Sequence, residues 1–358
     1  MSDEHVFRAD SLERAISAVI AAAGSQEHEA THVARSLVES NLRGHDSHGI
    51  GMVPRYIDAV LDGSLKPNGT VRVTLDAGPL LVLDGQRAYG QVVGDAAMEH
   101  AIGRARALGT CVMALARAHH LGRIGQFAEI AAAQGLVSLH FVNVISLPRV
   151  APWGGADARY GTNPCCIGIP VPGEPPMLLD FATSAVAQGK LRVAYNKGKQ
   201  VAPGLVIDDK GRPTTDPRYA VVEPHGAMMP FGEHKGYGLA VACELLGGAL
   251  TGSGTEDGAD RADNGVINGM LTIVIDPARL GTRDAFGDET AKFLAWLRGS
   301  PVAPGFDRVR IAGEPERESK AQRLASGIPV DTTTWKAIGS AAEKVGLARS
   351  RVDALATA

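Results

Sequence analysis

Between residues 71 and 275 the chain alternates short apolar, β-branched runs with segments in which apolar residues recur every three or four positions. Runs of the first kind predict strands, and segments of the second kind predict helices. The strand-like runs are residues 71–76, 80–83, 111–116, 136–144, 167–170, 177–181 and 270–275. Helical patterns separate several of them, at residues 94–108, 123–134, 185–195 and 239–250. This alternation predicts an α/β domain built on a mixed sheet with flanking helices.

Helical patterns also occupy both ends of the chain. Apolar stripes of helical spacing cover residues 10–23, 27–43 and 53–61. Gly44 stands where a left-handed C-terminal cap belongs. From about residue 315 the chain is helical again. We therefore predict a helical region over residues 1–75 that packs with a C-terminal segment over 315–358, and an α/β region over 76–314.

Composition restricts the class of partner. Hydrophobic residues make up 45% and charged residues 21% of the 358 residues, as in ordinary globular proteins. A net charge of −3 argues against a nucleic-acid partner, and no apolar run reaches the roughly 18 residues of a membrane span. The acidic start is unlike a signal peptide, and the four cysteines lack the spacing of a disulfide framework. We expect a cytoplasmic protein that binds a small molecule.

A dinucleotide-binding motif is absent from the place where many α/β proteins carry it. In those proteins Gly-x-Gly-x-x-Gly joins the first strand to a helix and lets the backbone approach a pyrophosphate. The glycine-rich stretch in this chain, at residues 247–254, closes a helical pattern and does not open one. Composition and spacing alone therefore leave the cofactor open.

Two histidines, a carboxylate and a hydroxyl stand close together between Gly44 and Gly49. Such a density of polar groups on a turn between helices is typical of functional sites. The imidazole of His48 can exchange a proton near neutral pH, and a neighbouring hydroxyl can determine its tautomer. Alternatively, Asp46 and Ser47 only cap the next helix while the histidines pack in the interior. The residues alone favour neither interpretation.

A second polar cluster lies where a predicted strand gives way to a helix, over residues 118–125. Free backbone amides at Gly122 and Gly125 could receive a phosphate at the helix N-terminus, with Arg123 adding positive charge. The alternative is a tight strand-to-helix turn with packed imidazoles.

Two further features carry polar side chains at predicted element ends. Residues 231–238 open a helix, and the glycines there with His234 and Lys235 favour an anion, although Glu233 could simply balance the helix dipole. Asp180 ends an apolar strand, so it either caps a helix beginning near Ser184 or orients a histidine.

A zinc site is the metal alternative for these polar residues. By ligand type its side chains would be His45, Asp46, His48, His119 and His120. Their spacing matches no compact metal motif, so we expect no metal.

Taken together, the polar segments resemble those of the malate/L-lactate dehydrogenase family, whose members lack a Rossmann fold. The shared motifs follow one another in a single order along nearly the whole chain. They are Arg43-Gly44-His45-Asp46-Ser47-His48-Gly49, His120-Leu121-Gly122, Gly161-Thr162-Asn163-Pro164, Leu179-Asp180-Phe181-Ala182-Thr183-Ser184, Pro213-Thr214-Thr215-Asp216-Pro217 and Gly232-Glu233-His234-Lys235-Gly236-Tyr237-Gly238. The resemblance implies the family's own mixed α/β fold and not a doubly wound one, which accounts for the missing glycine motif.

The resemblance also implies an activity. It is that of an NAD(P)-dependent oxidoreductase, a homodimer, which reversibly reduces a small 2-oxo acid to the 2-hydroxy acid, with NAD slightly favoured over NADP. His48 would be the proton donor, with Ser47 and Asp180 as its relay partners. His120 occupies the position of the acid/base histidine in one branch of the family, so it is the rival candidate.

Further residues are assigned to the nicotinamide nucleotide by the same resemblance. Together with His48 they are Gly122, Arg123, Ile124, Leu178, Leu179, Asp180, His234, Lys235, Gly313 and Glu314. The α/β region over 76–314 is therefore the expected cofactor-binding region.

One position departs from the family pattern. Many members place an arginine four residues after the motif histidine, where its guanidinium binds the substrate carboxylate. In this chain that position is Met52, so Arg55 and Arg43 become the substitutes. A methionine there also leaves room for a bulkier apolar side chain on the 2-oxo acid. The alternative function is a cyclic imine reductase of the piperideine-2-carboxylate type, ahead of a zinc hydrolase or a non-catalytic binding protein.

Overall fold

A computed structural model describes residues 4–256 and 265–357 of the chain. The elements up to the middle of the chain are β1 (Glu4–Phe7), α1 (Ala9–Ala22), α2 (Glu27–Leu42), α3 (Val53–Leu61), β2 (Arg72–Ala77), β3 (Leu80–Asp84), α4 (Gly90–Leu108), β4 (Thr110–His119), α5 (Gly125–Ala132), β5 (Val137–Ile145), β6 (Cys165–Val171) and β7 (Glu174–Phe181). The later elements are α6 (Gln188–Asn196), β8 (Val206–Ile207), β9 (Pro213–Thr214), β10 (Ala227–Met228), α7 (His234–Cys243), β11 (Ile267–Ile275), α8 (Arg283–Arg298), α9 (Glu314–Ser326), β12 (Ile328–Asp331), α10 (Thr332–Lys344) and α11 (Arg349–Thr357).

A seven-stranded sheet with the order β2-β3-β4-β11-β5-β6-β7 forms the centre of the molecule. The pair β3 and β4 is parallel, joined by the crossover helix α4, while the other neighbouring strands are antiparallel. All seven strands expected from the sequence lie in this sheet, so the predicted mixed α/β architecture is confirmed. β8, β9 and β10 form a small second sheet. It is too short, at two residues a strand, to leave a detectable alternation in the sequence.

The N-terminal helices share one hydrophobic core with the last two helices. Leu12 and Ile16 of α1, Leu37 of α2 and Ile338 of α10 are completely buried in it, and each such side chain contributes about 1.5–3 kcal/mol on burial. β1 and β12, from opposite ends of the chain, pair beside this core. A separate core lies between the central sheet and helices α4 and α5. This arrangement supports the division near residues 75 and 315, which we retain as a proposal.

The histidine-bearing turn begins where α2 ends. Gly44 adopts the predicted left-handed conformation, with φ of +81°. The chain then makes two 3-10 turns, Asp46–His48 and Ile50–Met52, before α3 begins. These turns direct His48 toward the C-terminal end of β4, where His119 and His120 leave the central sheet.

Neither a membrane-spanning helix nor a cluster of metal ligands is found in the described ranges. Within residues 4–256 and 265–357, no helix is long and apolar enough to cross a membrane, and no cluster of three or more His, Cys, Asp or Glu side chains is placed to hold a metal ion. The four cysteines are buried free thiols.

Candidate active site

The imidazole rings of His48 and His120 face each other at the centre of the site. Their centroids lie 5.5 Å apart and their planes differ by only 14°. His48 comes from the turn after α2, and His120 follows β4. The structure thus brings together the two residues that the sequence offers as rival proton donors.

Each of these imidazoles has a hydroxyl group at its Nδ1 atom. Ser47 Oγ lies 3.0 Å from His48 Nδ1, which is the contact expected from the resemblance. The hydroxyl of Tyr56 lies 2.7 Å from His120 Nδ1 and accepts a 2.8 Å hydrogen bond from Gln91 Nε2. Neither Nε2 atom has a partner in the described part of the chain, and both rings are partly exposed. The Nε2 edges are therefore the ones left for a ligand.

Both histidines of the pair are neutral at pH 7 in the protein alone. Burial, followed by the charges of His45 and Arg123, lowers the pKa of His48 to about 4. Burial and then the neighbouring His48 and His119 hold the pKa of His120 well below its ordinary value. A second positive charge beside the first is strongly disfavoured, so the pair can hold one proton at most near neutral pH.

The histidine turn is fixed by Asn41 and by helix α9. The side chain of Asn41 accepts from the amide of Ile50 at 2.8 Å and donates to Asp46 at 2.6 Å. Arg323 of α9 binds the Asp46 carboxylate at 2.6 and 3.0 Å and also donates to the Asn41 carbonyl. A Cβ atom at Gly49 would collide with the Asn41 amide, so the turn closes only around a glycine.

The capping alternative for this turn is wrong. Neither 3-10 turn has a side-chain cap, and Asp46 and Ser47 bond to other groups. The Asp46 carboxylate binds Asn41 and Arg323, whereas the Ser47 hydroxyl binds His48.

Asp180, at the end of β7, is placed at the start of α5. It accepts a 2.7 Å hydrogen bond from the Gly125 amide, and burial raises the pKa of this carboxyl against the opposing charges of His45 and Arg123. Within the described residues it bonds neither a histidine nor the segment after Ser184. Its predicted relay contact with His48 is therefore not formed in this structure.

The turn between β4 and α5 carries three of the residues assigned to the nucleotide. Gly122 has a φ of +79°, Arg123 is buried and bonds Glu129 at 2.7 Å, and Ile124 is buried. The charge of Arg123 acts on both His48 and Asp180, so this turn lies beside the histidine pair and the end of β7.

The remaining nucleotide candidates approach from two other segments. Leu178, adjacent to Leu179 and Asp180 in β7, donates to the carbonyl before Gly313 at 3.1 Å, and Gly313 packs against it with a φ of +92°. Glu314 pairs with Arg298 at 3.1 Å. His234 and Lys235 are exposed at the start of α7. The contact between Phe231 and Phe181, 5.5 Å between centroids, keeps that helix start near β7.

The three residues considered for the substrate have different surroundings. Arg43 lies 2.6 Å from Glu39 and 2.9 Å from Glu129, so its guanidinium is engaged within the protein. Arg55 is partly exposed, and its charge contributes to the low pKa of His119 and His120, after burial. Met52 is also partly exposed and packs against the N-terminal core.

Tyr56, Gln91 and Asn41 are site residues that the sequence does not reveal. Tyr56 belongs to the apolar stripe of α3, where only the need of a buried phenol for a partner indicates a polar role. Asn41 is a buried polar residue inside a helical pattern, and Gln91 is one that lies just before the pattern over residues 94–108. The partners of Tyr56 and Gln91 are distant in sequence, so no local spacing predicts them. Asn41 contacts the nearby Asp46 and Ile50, but only through the irregular turn that follows α2.

The mixed sheet matches the fold, and His48 and His120 are the two histidines, that the resemblance implies for a 2-hydroxy acid dehydrogenase. The chain belongs to the malate/L-lactate dehydrogenase family, since the model of that family matches residues 7–339. This membership confirms the expected activity class, the reversible oxidoreduction between a 2-oxo acid and a 2-hydroxy acid.

Individual relatives are similar over 89% or more of the chain. Hydroxycarboxylate dehydrogenase B of Escherichia coli K12 is 43% identical over 356 residues, covering 99% of this chain and 98% of the relative. L-lactate dehydrogenase of Cupriavidus necator is 41% identical and covers 89% and 92% of the two chains. A solved E. coli structure described as a malate/lactate dehydrogenase superposes with a TM-score of 0.93 at 42% identity, over 99% of both chains.

Proposed function

We propose that this protein is an NAD(P)-dependent dehydrogenase that reversibly reduces a small 2-oxo acid, with His48 as the group that exchanges the proton. The observation that carries the proposal is the partly exposed His48–His120 pair, whose two Nε2 atoms have no partner among residues 4–256 and 265–357. Carbonyl reduction needs such a group, because hydride addition to the carbon leaves an alkoxide that must be protonated.

The surroundings of the pair suit a nicotinamide nucleotide. Gln91 Oε1 is buried without a hydrogen-bond partner among the described residues, and its amide lies against Gly122. A buried acceptor of this kind is costly until a donor satisfies it, and the NH2 of a carboxamide is such a donor. Arg123 brings positive charge to the same turn. When bound, the nucleotide supplies or accepts the hydride.

The nucleotide would be held by residues at the ends of β4 and β7 and at the start of α9. We propose Gly122, Arg123, Ile124, Leu178, Leu179, Asp180, Gly313 and Glu314, with His234 and Lys235 at the margin. NAD is the first cofactor to test, and NADP is the second.

In the oxidative direction, neutral His48 accepts the substrate hydroxyl proton at Nε2. In the reductive direction, His48 must first be protonated. The negative charge of a bound carboxylate raises the pKa of a nearby imidazole, which favours that protonation. Ser47 at Nδ1 keeps the ring oriented in both states.

Arg55 is the cation that we propose for the substrate carboxylate. Burial and then the charge of Arg55 lower the pKa of Arg149, and Arg55 also acts on His120, so positive charge accumulates next to the histidines. Arg43 is less suitable because two carboxylates already engage it. Met52 would face the side chain of the 2-oxo acid and would tolerate an apolar or aromatic group.

A panel of 2-oxo acids, each with NADH and with NADPH, tests the proposal at the nicotinamide absorbance band. We expect turnover of at least one 2-oxo acid and weaker turnover of piperideine-2-carboxylate. If only the cyclic imine supports nicotinamide oxidation, the function is imine reduction. If no compound supports nicotinamide oxidation, the proposal is overturned.

We also propose a cytoplasmic homodimer. Four buried free thiols suit a reducing compartment, where thiols stay unpaired. Light scattering of the purified protein tests the dimer, with a monomer mass as the contradicting result.

A further inference from the structure

The hydroxyl group of Tyr56 can donate its proton in only one direction. Tyr56 is completely buried, and its oxygen accepts the 2.8 Å hydrogen bond from Gln91 Nε2. Its other partner in the described chain is His120 Nδ1, at 2.7 Å. Since a phenol has one proton, that proton is donated to Nδ1, which must then be unprotonated. A neutral imidazole with a bare Nδ1 carries its proton on Nε2.

The hydroxyl group of Ser47 is not constrained in this way. Its Oγ has no second partner among residues 4–256 and 265–357, and a serine hydroxyl rotates freely about its Cβ–Oγ bond. It can therefore accept from a protonated His48 Nδ1, which leaves Nε2 of the neutral ring bare and able to take up a proton. His48 can therefore gain and lose a proton without losing its partner. A proton on His120 Nδ1, by contrast, would face the proton of Tyr56.

We propose that Tyr56 and Gln91 are positioning residues that hold His120 as the Nε2–H tautomer, so that His120 donates a hydrogen bond to the substrate carbonyl oxygen while His48 alone exchanges the proton. The assignment rests on the proposed function and separates the roles of the two histidines. As hydride reaches the carbonyl carbon, negative charge develops on the oxygen, and a fixed N–H donor stabilises that charge. Removing one donor of this type costs about 10²–10³-fold in kcat in other enzymes.

Two substitutions at His120 distinguish a donor from an acid/base group. His120→Gln keeps an N–H donor but cannot exchange a proton, whereas His120→Ala has neither property. We expect kcat of His120→Ala to fall by about 10²–10³-fold and that of His120→Gln to stay within about tenfold of the unaltered enzyme. His48→Gln is the matched comparison and should lose turnover. Equal inactivity of both His120 variants at unchanged nicotinamide binding would overturn the assignment.

The tautomer can be measured directly by ¹⁵N NMR of the imidazole nitrogens, with the His120 signals assigned from the His120→Gln spectrum. We expect a protonated Nε2 and a bare Nδ1 at His120. Tyr56→Phe should mix the two tautomers at His120 and leave His48 unchanged, and Ser47→Ala should change His48 only. A protonated Nδ1 at His120 in the unaltered protein would contradict the proposal. Absence of nicotinamide-linked turnover would instead contradict the proposed function, since the NMR result does not depend on activity.

Discussion

Lowering the pH should have little effect on the oxidation of a 2-hydroxy acid down to about pH 5. Oxidation requires neutral His48, whose pKa is lowered to about 4 mainly by burial. A histidine with the ordinary pKa near 6.5 would be only about 10% neutral at pH 5.5, whereas a group with a pKa near 4 would be about 97% neutral. We therefore expect kcat/KM at pH 5.5 to differ by no more than about 10% from its value at pH 7.5. A histidine with an ordinary pKa would instead make it about tenfold lower at pH 5.5.

The assay is the initial rate of NAD⁺ reduction at low substrate concentration and constant ionic strength, from pH 5 to 7.5. This window keeps the substrate carboxyl ionised, so the enzyme groups determine the profile. Aliquots held at each pH and returned to pH 7.5 provide the control for irreversible loss of activity.

A tenfold fall in kcat/KM for each unit below pH 6.5 would refute this reasoning. It would mean that the proton acceptor is an ordinary exposed imidazole, and that the burial of the histidine pair does not govern the reaction.

Three other substitutions test separate parts of the account. Arg323→Gln removes the cation that binds Asp46 and fixes the histidine turn. We expect kcat to fall about tenfold in steady-state kinetics, while nicotinamide binding in a fluorescence titration is kept. Between pH 6.5 and 4 the unfolding free energy of the unaltered protein should fall by about 3 kcal/mol more than that of the His140→Gln variant, as measured by urea titration. Burial lowers the pKa of His140 to about 3, so the unfolded state binds its proton first and stability falls as the pH drops. Met52→Arg should raise kcat/KM for pyruvate relative to phenylpyruvate by about tenfold, because a guanidinium binds the carboxylate; a preference for pyruvate before substitution would contradict the assigned role of Met52.

Much of the fold follows from local patterns in the chain. The seven central strands each carry enough apolar residues to be recognised, and Gly44 marks the end of α2 by its need for a positive φ. The position of β11 between β4 and β5 has no local signal, because strand order depends on packing between distant segments. The sequence therefore predicts the strands of the central sheet but not their order in it.

The candidate site divides in the same way. Ser47 and His48 are adjacent in the chain, so their contact follows from the motif itself. The bond between Tyr56 and His120 joins two distant segments and becomes visible only in the folded chain. The same holds for Arg323, whose ion pair with Asp46 comes from a C-terminal helix that shows only a polar pattern in the sequence. Electrostatic roles that arise from burial need the tertiary structure.

The His48→Ala variant tests the central claim most directly. Turnover of the best 2-oxo acid at pH 7 should be compared with nicotinamide binding by the same preparation. We expect turnover to fall by about 10²–10⁴-fold, the contribution of a positioned acid/base group, while the dissociation constant of the nucleotide changes by less than about threefold. Near-normal turnover in this variant would contradict the account and transfer the proton to His120.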